Sequence, residues 1–369
     1  MRSRIALVVF LGLAVVLQLG AQPGLRGQDA SLSTSKDWVF PPRPLKEWAD
    51  MKEQVESAIR FLRSRQTTSG AVGTSYPVAV TSLAGLAVLG AGHHPLEGEH
   101  RDMLQKSLSY LAGVARPVGS GLFIAEEGDG GSRMHGHCYA VLFLCELFGS
   151  LPGREDEISG LIRKAVTTIE RSQSIEGGWY YYPENPQNLD ESSVTVCALQ
   201  SLRAARNAGF SVDSRRVDEA IRYVRRCQSP RDGSFVYSLS PSVEGRGRTS
   251  YALTAAALST LNAAGIYRSE ELRKGLDYFR RALANARSPW HAAEEEHDFY
   301  ANFYAAQALY QDGGDLWPDW YSKVRAHLLR KQVKTDGRWE NRQFGDEYAT
   351  AMALLILEVP LGYLPIFQR

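Results

Sequence analysis

Residues 170–183 read ERSQSIEGGWYYYP, and within them Gln173, Gly177 and Trp179 stand in a Q-x-x-x-G-x-W spacing at the end of a helix-like segment. A single copy would say little, but the stretch recurs. VRRCQSPRDGSFVY at 224–237 supplies Gln228, Gly233 and Phe235, and LLRKQVKTDGRWEN at 328–341 supplies Gln332, Gly337 and Trp339. LRSRQTTSGAV at 62–72 keeps Gln66 and Gly70, with Val72 in the aromatic place. A motif repeated in register is a building unit, so the repeat is settled before any other reading.

Upstream of each glutamine lies an apolar stripe at offsets of three, four and seven. It is Val55, Ala58, Ile59 and Leu62 before Gln66, Ile162, Ala165, Val166 and Ile169 before Gln173, and Val217, Ala220, Ile221 and Val224 before Gln228. That periodicity predicts an amphipathic helix. Two more copies keep the stripe without the glutamine (Leu104, Ser107, Leu108, Leu111 and Leu272, Gly275, Leu276, Phe279), and a ragged sixth (Tyr321, Val324, Leu328) precedes Gln332. After each comes a Gly-containing loop and a second, more uniformly apolar segment rich in small residues, such as HCYAVLFLCELFG and SYALTAAALSTLNAAG. A helix apolar nearly all round is buried on most sides. Six hairpins, each with an amphipathic outer and a buried inner helix, predict an all-α fold, an α/α6 toroid over 51–369. In it the glutamine braces a helix end, the glycine permits the turn, and the aromatic packs against the neighbouring unit.

The first thirty residues carry Arg2 and Arg4 followed by an apolar run, Ile5 to Leu19. The run is short for a membrane span and has the pattern of a secretory signal. Residues 1–30 are therefore expected to be a signal peptide ending at Ala21 or Ala30, residues 31–50 a proline-containing lead-in, and the protein exported, with no span left after signal removal. Net charge is +1, with no basic stripe, so nucleic acid is not an expected partner. Cys138, Cys145, Cys197 and Cys227 include no C-x-x-C pair. Buried free thiols are the first expectation, a disulfide the second, and no metal site or cofactor is expected.

The Q-x(3–4)-G-x-W repeats resemble those of squalene–hopene cyclases and protein prenyltransferase β subunits. More narrowly, HGHCYAVLFLCELFG, DFYANFYAAQALYQDGG and YATAMALLILEVPLGYLP are similar to segments of secreted bacterial prenyltransferase/squalene-oxidase repeat proteins. The resemblance implies the toroid. It does not carry the chemistry over: the D-x-D-D acid, the D-C-T-A-E segment and the G-C-G-E-Q thioester are missing, and Ala301 in DFYANFY stands where prenyltransferases place a zinc-binding His.

Inner-helix N-termini should converge at one mouth of the barrel, with unpaired N–H groups and positive dipole ends. The polar residues expected there are Tyr76, His135, His137, Asp190, Glu191, Ser192, Arg246, Arg248, Glu296, His297, Asp298, Tyr300, Asp346, Glu347 and Tyr348. Each has a plainer role open to it. Asp190, Ser192, Asp298 and Asp346 suit helix starts, and His135 and His137 suit satisfied core positions. Three functions remain open. One is a ligand-binding toroid holding an isoprenoid, lipid or saccharide in its central cavity. Another is an unconventional isoprenoid or carbohydrate-active enzyme, with carboxylates such as Asp190 and Glu296 as acid and base. The third is a non-catalytic envelope module with a filled barrel.

Overall fold

The computed structural model describes residues 46–293 and 297–368. The expected signal peptide, most of the proline-containing lead-in and Glu296 lie outside the described residues. After a single helical turn at Lys46–Ala49, twelve helices alternate between two concentric rings. The outer helices are Lys52–Ser64, Arg101–Val114, Glu155–Arg171, Ser214–Arg226, Glu270–Asn285 and Leu316–Lys331. Their inner partners are Pro77–Gly90, Arg133–Leu147, Ser192–Asn207, Tyr251–Ala263, Asp298–Asp312 and Asp346–Glu358. Each inner helix packs on the next, and the last, Asp346–Glu358, packs on the first, Pro77–Gly90. The ring is closed, and the α/α6 toroid expected from the repeats is the observed fold.

The amphipathic stripes explain the order of the rings. Val55, Ala58, Ile59 and Leu62 of the first outer helix are fully buried, while Pro77 to Val88 of its inner partner are buried without a break. Burial of an apolar side chain stabilises by roughly 1.5–3 kcal/mol, so the inner ring supplies most of the core.

The repeated glutamine has a defined job. Its side-chain N–H₂ donates to the carbonyl of the loop glycine and to a carbonyl on the next hairpin's outer helix. Gln66 reaches Gly70 and Met103 (both 3.0 Å), Gln173 reaches Gly177 and Arg216 (2.9 and 2.8 Å), and Gln228 reaches Gly233 and Glu271 (3.1 and 2.9 Å). Gln332 closes the circle onto Gly337 and Gln54 of the first hairpin (both 2.8 Å). The glycine is fixed twice over: Gly177 has φ +98°, and a Cβ there would lie 2.3 Å from the Glu219 carbonyl oxygen. The aromatic differs from expectation. The indoles of Trp179 and Trp339 donate to Ile169 and Leu328, the last turns of their own outer helices, at 2.7 and 2.8 Å.

The two hairpins without the glutamine use other clasps. After Arg101–Val114 the chain forms an antiparallel pair, β1 (Ala115–Val118) and β2 (Gly121–Ile124). This pair lies on the third outer helix, where Thr168 Oγ1 donates to the Leu122 carbonyl at 2.7 Å. After Glu270–Asn285, Trp290 stacks flat on His327 of the sixth outer helix, with ring centroids 4.8 Å apart. Every seam of the ring is thus pinned, by one of three chemistries.

The barrel is filled below its mouth. Tyr139 and Tyr304 hydroxyls meet at 3.0 Å, and Cys197 Sγ lies 3.2 Å from the Tyr304 hydroxyl. One layer further in, Gln200 donates to Gln307 (2.7 Å) and Ser259 (2.9 Å). The C-terminal segment then plugs the far end: Phe367 is buried against Phe303, Gln311 donates to the Ile366 and Phe367 carbonyls, and Arg203 donates to the Gln368 carbonyl. All four cysteines are buried free thiols. No helix among the described residues is long and apolar enough to cross a membrane.

Candidate functional site

Among the described residues, the filled layers leave a cavity of ≈ 230 Å³ at the mouth formed by the inner-helix N-termini. Its lining is dominated by tyrosines: Tyr76, Tyr139, Tyr181, Tyr237, Tyr300 and Tyr348, with Phe344, His135, His297, Ser193 and Arg248 between them. Of the site residues expected from sequence, His135, Arg248, His297 and Tyr300 come together here, along with Tyr76 and Tyr348.

The other candidates are spent elsewhere. His137 faces outward, away from the mouth. Its Nδ1 accepts from the Ile124 amide (3.1 Å) and its Nε2 bonds the Ala165 carbonyl (3.2 Å), so it bolts β2 to the third outer helix. Asp190 is fully buried and accepts from Tyr223, Ser238 and the Leu239 amide, holding the third loop to the fourth hairpin. Ser192 donates to the Val236 carbonyl. The Arg246 carbonyl accepts from the Ser238 amide. Asp298 accepts from the Trp290 indole, Asp346 pairs with Arg338, and Glu347 pairs with Arg65 at 2.6 Å across the seam between the sixth and first hairpins. The plainer reading of these acids is the one the contacts describe, and His135 and His137 do not share the mouth, because His137 is turned to β2 and the third outer helix.

Glu191 occupies an intermediate place. It caps the third inner helix, accepting from the amides of Ser193 and Val194, and its Oε2 also accepts the Ser193 hydroxyl proton at 2.7 Å. Ser193 Oγ in turn lies 2.9 Å from His135 Nε2. A hydroxyl has one proton, and Ser193 gives its proton to Glu191, so the His135 contact runs from Nε2–H to Oγ. That leaves Nδ1 as the lone-pair nitrogen, and Nδ1 is buried with no partner. Burial pushes His135 down to about 4, which keeps the ring neutral. Burial pushes Glu191 up to about 7, against the hydrogen bonds it receives. Glu191, Ser193 and His135 therefore form a chain that fixes one imidazole tautomer in the cavity wall.

The rest of the wall is equally organised. The Tyr181 and Tyr237 hydroxyls share a 2.5 Å hydrogen bond, and the Arg248 guanidinium sits 5.3 Å above the Tyr237 ring. Phe344 lies 5.8 Å from Tyr76, 5.2 Å from Tyr348 and 6.2 Å from His297, between ring centroids. The Tyr300 hydroxyl is buried without a partner, and burial raises it well above the usual phenol range. Tyr76 holds a left-handed backbone, φ 51° and ψ 50°. Such strain in a non-glycine residue costs on the order of 1–3 kcal/mol and gathers at functional sites.

Sequence reasoning missed Tyr181, Tyr237, Ser193, Tyr139 and Phe344. A signal existed for two of them: Tyr181 and Tyr237 stand two residues after the motif aromatics Trp179 and Phe235. The chain is extended there, bridged at Trp179–Glu191 and Gln228–Phe235, although alternation alone does not say which side faces the mouth.

No protein-family model matches this chain, and no curated protein matches it significantly. Solved structures do match. A family 76 glycoside hydrolase from a bovine Bacteroides thetaiotaomicron strain aligns with TM-score 0.64 and 10% identity, over 84% of this chain and 77% of its own. Cellobiose 2-epimerase from Bacillus thermoamylovorans aligns with TM-score 0.62 and 10% identity, over 84% and 98%. An alpha-1,6-mannanase of family 76 from Salegentibacter sp., an inactive variant solved with alpha-1,6-mannotriose, aligns with TM-score 0.59 and 10% identity, over 83% and 97%. At these identities the similarity establishes the shared α/α toroid.

Proposed function

We propose that this chain is an exported saccharide-binding toroid whose cavity acts on the end residue of a sugar by histidine-centred proton transfer. The observation that carries the reading is the tyrosine-lined cavity with His135, held neutral and in one tautomer by Ser193 and Glu191. Tyrosine rings offer flat apolar faces with a polar edge, which suits the alternating C–H and O–H surfaces of a pyranose. The cavity is smaller than a drug-sized site of roughly 300–1,000 Å³, and this favours one sugar unit entering end-on. The fold similarity to a mannanase and a cellobiose 2-epimerase supports a carbohydrate-active role. Export rests on the signal-like pattern of residues 1–30.

Of the two carbohydrate chemistries, proton transfer fits better than hydrolysis. Hydrolysis calls on two carboxyls flanking the bond, and no carboxylate lines the cavity among the described residues. Two imidazoles and a guanidinium do, the groups that serve a base and a polarised carbonyl. The isoprenoid reading, which follows from the likeness to prenyltransferase/squalene-oxidase repeat proteins, is weaker on the same grounds. Arg248 is the one lysine or arginine lining the cavity among the described residues, a thin counterweight for a diphosphate, and a squalene chain would meet hydroxyls and a filled barrel.

The test is incubation of the purified protein with cellobiose, mannobiose and alpha-1,6-mannotriose in deuterium oxide, followed by NMR. Deuterium entering carbon 2 of a reducing end, lost in His135→Ala, is the expected result. Binding by calorimetry without exchange would reduce the protein to a saccharide-binding module. The absence of both binding and exchange would overturn the reading.

A further inference from the structure

The end of the toroid opposite the mouth holds a second cluster that the cavity chemistry does not use. Glu56 lies on the first outer helix, and His93 and His100 lie in the loop that leaves the first inner helix. The Glu56 carboxylate faces both rings, Oε1 at 3.1 Å from His93 Nε2 and Oε2 at 3.4 Å from His100 Nε2. One donor atom from each of the three residues falls within 4.8 Å of the others. In a tetrahedral zinc site, bonds of about 2.0–2.2 Å place neighbouring ligand atoms roughly 3.3–3.5 Å apart. The Glu56–His93 and Glu56–His100 contacts, made by different carboxylate oxygens, are close to that length, and the two rings meet edge to face at 4.6 Å between centroids. We infer that Glu56, His93 and His100 form a binding site for a divalent transition-metal ion of the zinc class.

Three features support the assignment beyond the spacing. The donor set is two imidazoles and one carboxylate, the mixture that suits zinc over the all-oxygen preference of calcium or magnesium. The site is sheltered and still reachable: the His100 side chain is 0% exposed, and those of His93 and Glu56 are 23% and 19% exposed, so a fourth, water-filled position can face solvent. Beneath it lies Glu358, buried with both carboxylate oxygens unpartnered. Its Oε2 packs against Gly90, the last residue of the inner helix that leads to His93 and His100. A buried acid left without any hydrogen-bond partner calls for an explanation, and a nearby ion supplies one. The ion would tie the first outer helix to the loop at 91–100, beside the end of the sixth inner helix that carries Glu358. Its role is to staple the ring near the seam between the first and sixth hairpins, and it is independent of the saccharide reading.

The experiment uses the full chain, stripped with chelator and titrated with zinc chloride alone. One equivalent should bind and raise the melting temperature, cobalt should give the visible absorption of a tetrahedral site, and magnesium should do neither. His93→Ala, at a partly exposed position, and Glu56→Gln should each weaken zinc binding by at least about 100-fold, with the far-ultraviolet circular dichroism of the stripped protein unchanged. His135→Ala, in the mouth, should bind zinc as wild type does. Sub-stoichiometric uptake by the wild type would overturn the assignment. So would uptake that survives both cluster variants, or that is lost only with His135→Ala.

Discussion

Gln332 pins the last hairpin to the first, and its removal tests whether the glutamine clasp is what holds the ring shut. Its amide donates at 2.8 Å to Gly337 and at 2.8 Å to Gln54, and the residue is buried. Gln332→Ala removes both hydrogen bonds, each worth about 1 kcal/mol net, and about one buried methylene, near 0.8 kcal/mol. The expected loss is about 3 kcal/mol. For a folded chain of this size the unfolding entropy converts about 0.7 kcal/mol into one degree, so the melting temperature should fall by about 4 °C. Gln173→Ala breaks the equivalent pair, to Gly177 and Arg216, and should cost about as much. The two variants should differ in where the structure loosens. Native-state hydrogen exchange should quicken in Lys52–Ser64 and Leu316–Lys331 for Gln332→Ala, and in Glu155–Arg171 and Ser214–Arg226 for Gln173→Ala. A melting shift under about 1 °C for Gln332→Ala, or exchange that stays at wild-type rates across both seam helices, would refute the clasp.

Two glycines separate backbone strain from steric contact. Gly177→Ala meets φ +98° and a carbonyl at 2.3 Å, and should cost about 2–5 kcal/mol by chemical denaturation. Gly209→Ala meets φ +88° with open space, and should cost only about 1–2 kcal/mol; equal costs would remove the contact argument. Stability should also carry opposed pH terms. His135 and His137, both pushed down to about 4 by burial, lose protons on folding, so the stability tied to them falls as pH drops from about 6.5 toward 4. Glu191, raised to about 7, runs the other way: its contribution is full below about 4.5 and is lost as pH rises through 7. Glu191→Gln should therefore steepen the acid loss of stability by up to about 1.4 kcal/mol per pH unit between pH 4.5 and 6.5, and an unchanged slope in urea titrations would contradict the assignment. The four buried thiols should ignore a thiol reagent in the native protein and all react once it is denatured in the absence of reductant; fewer than four on denaturation would mean a disulfide.

The repeat and the closed ring were legible in the sequence because both rest on local rules. Apolar offsets of three, four and seven make an outer helix whatever surrounds it, and Gly177 or Gly233 at a fixed distance past a glutamine marks the same turn each time. The missing cyclase and prenyltransferase groups were readable in the same way, as short contiguous patterns. The tertiary structure decided the rest. His135 and His137 are two residues apart on one helix, a turn of about 200° at 100° per residue, so one looks into the mouth and the other into the wall behind it. Asp190 and Glu191 are neighbours, yet one serves Tyr223 and Ser238 while the other serves Ser193 and through it His135. Glu56, His93 and His100 sit on two elements that only the hairpin's return path brings together. A sequence states which side chains can do chemistry; which of them meet is fixed by the packing of helices far apart in the chain, because a few degrees of helix rotation decide whether a ring nitrogen faces a cavity or a carbonyl.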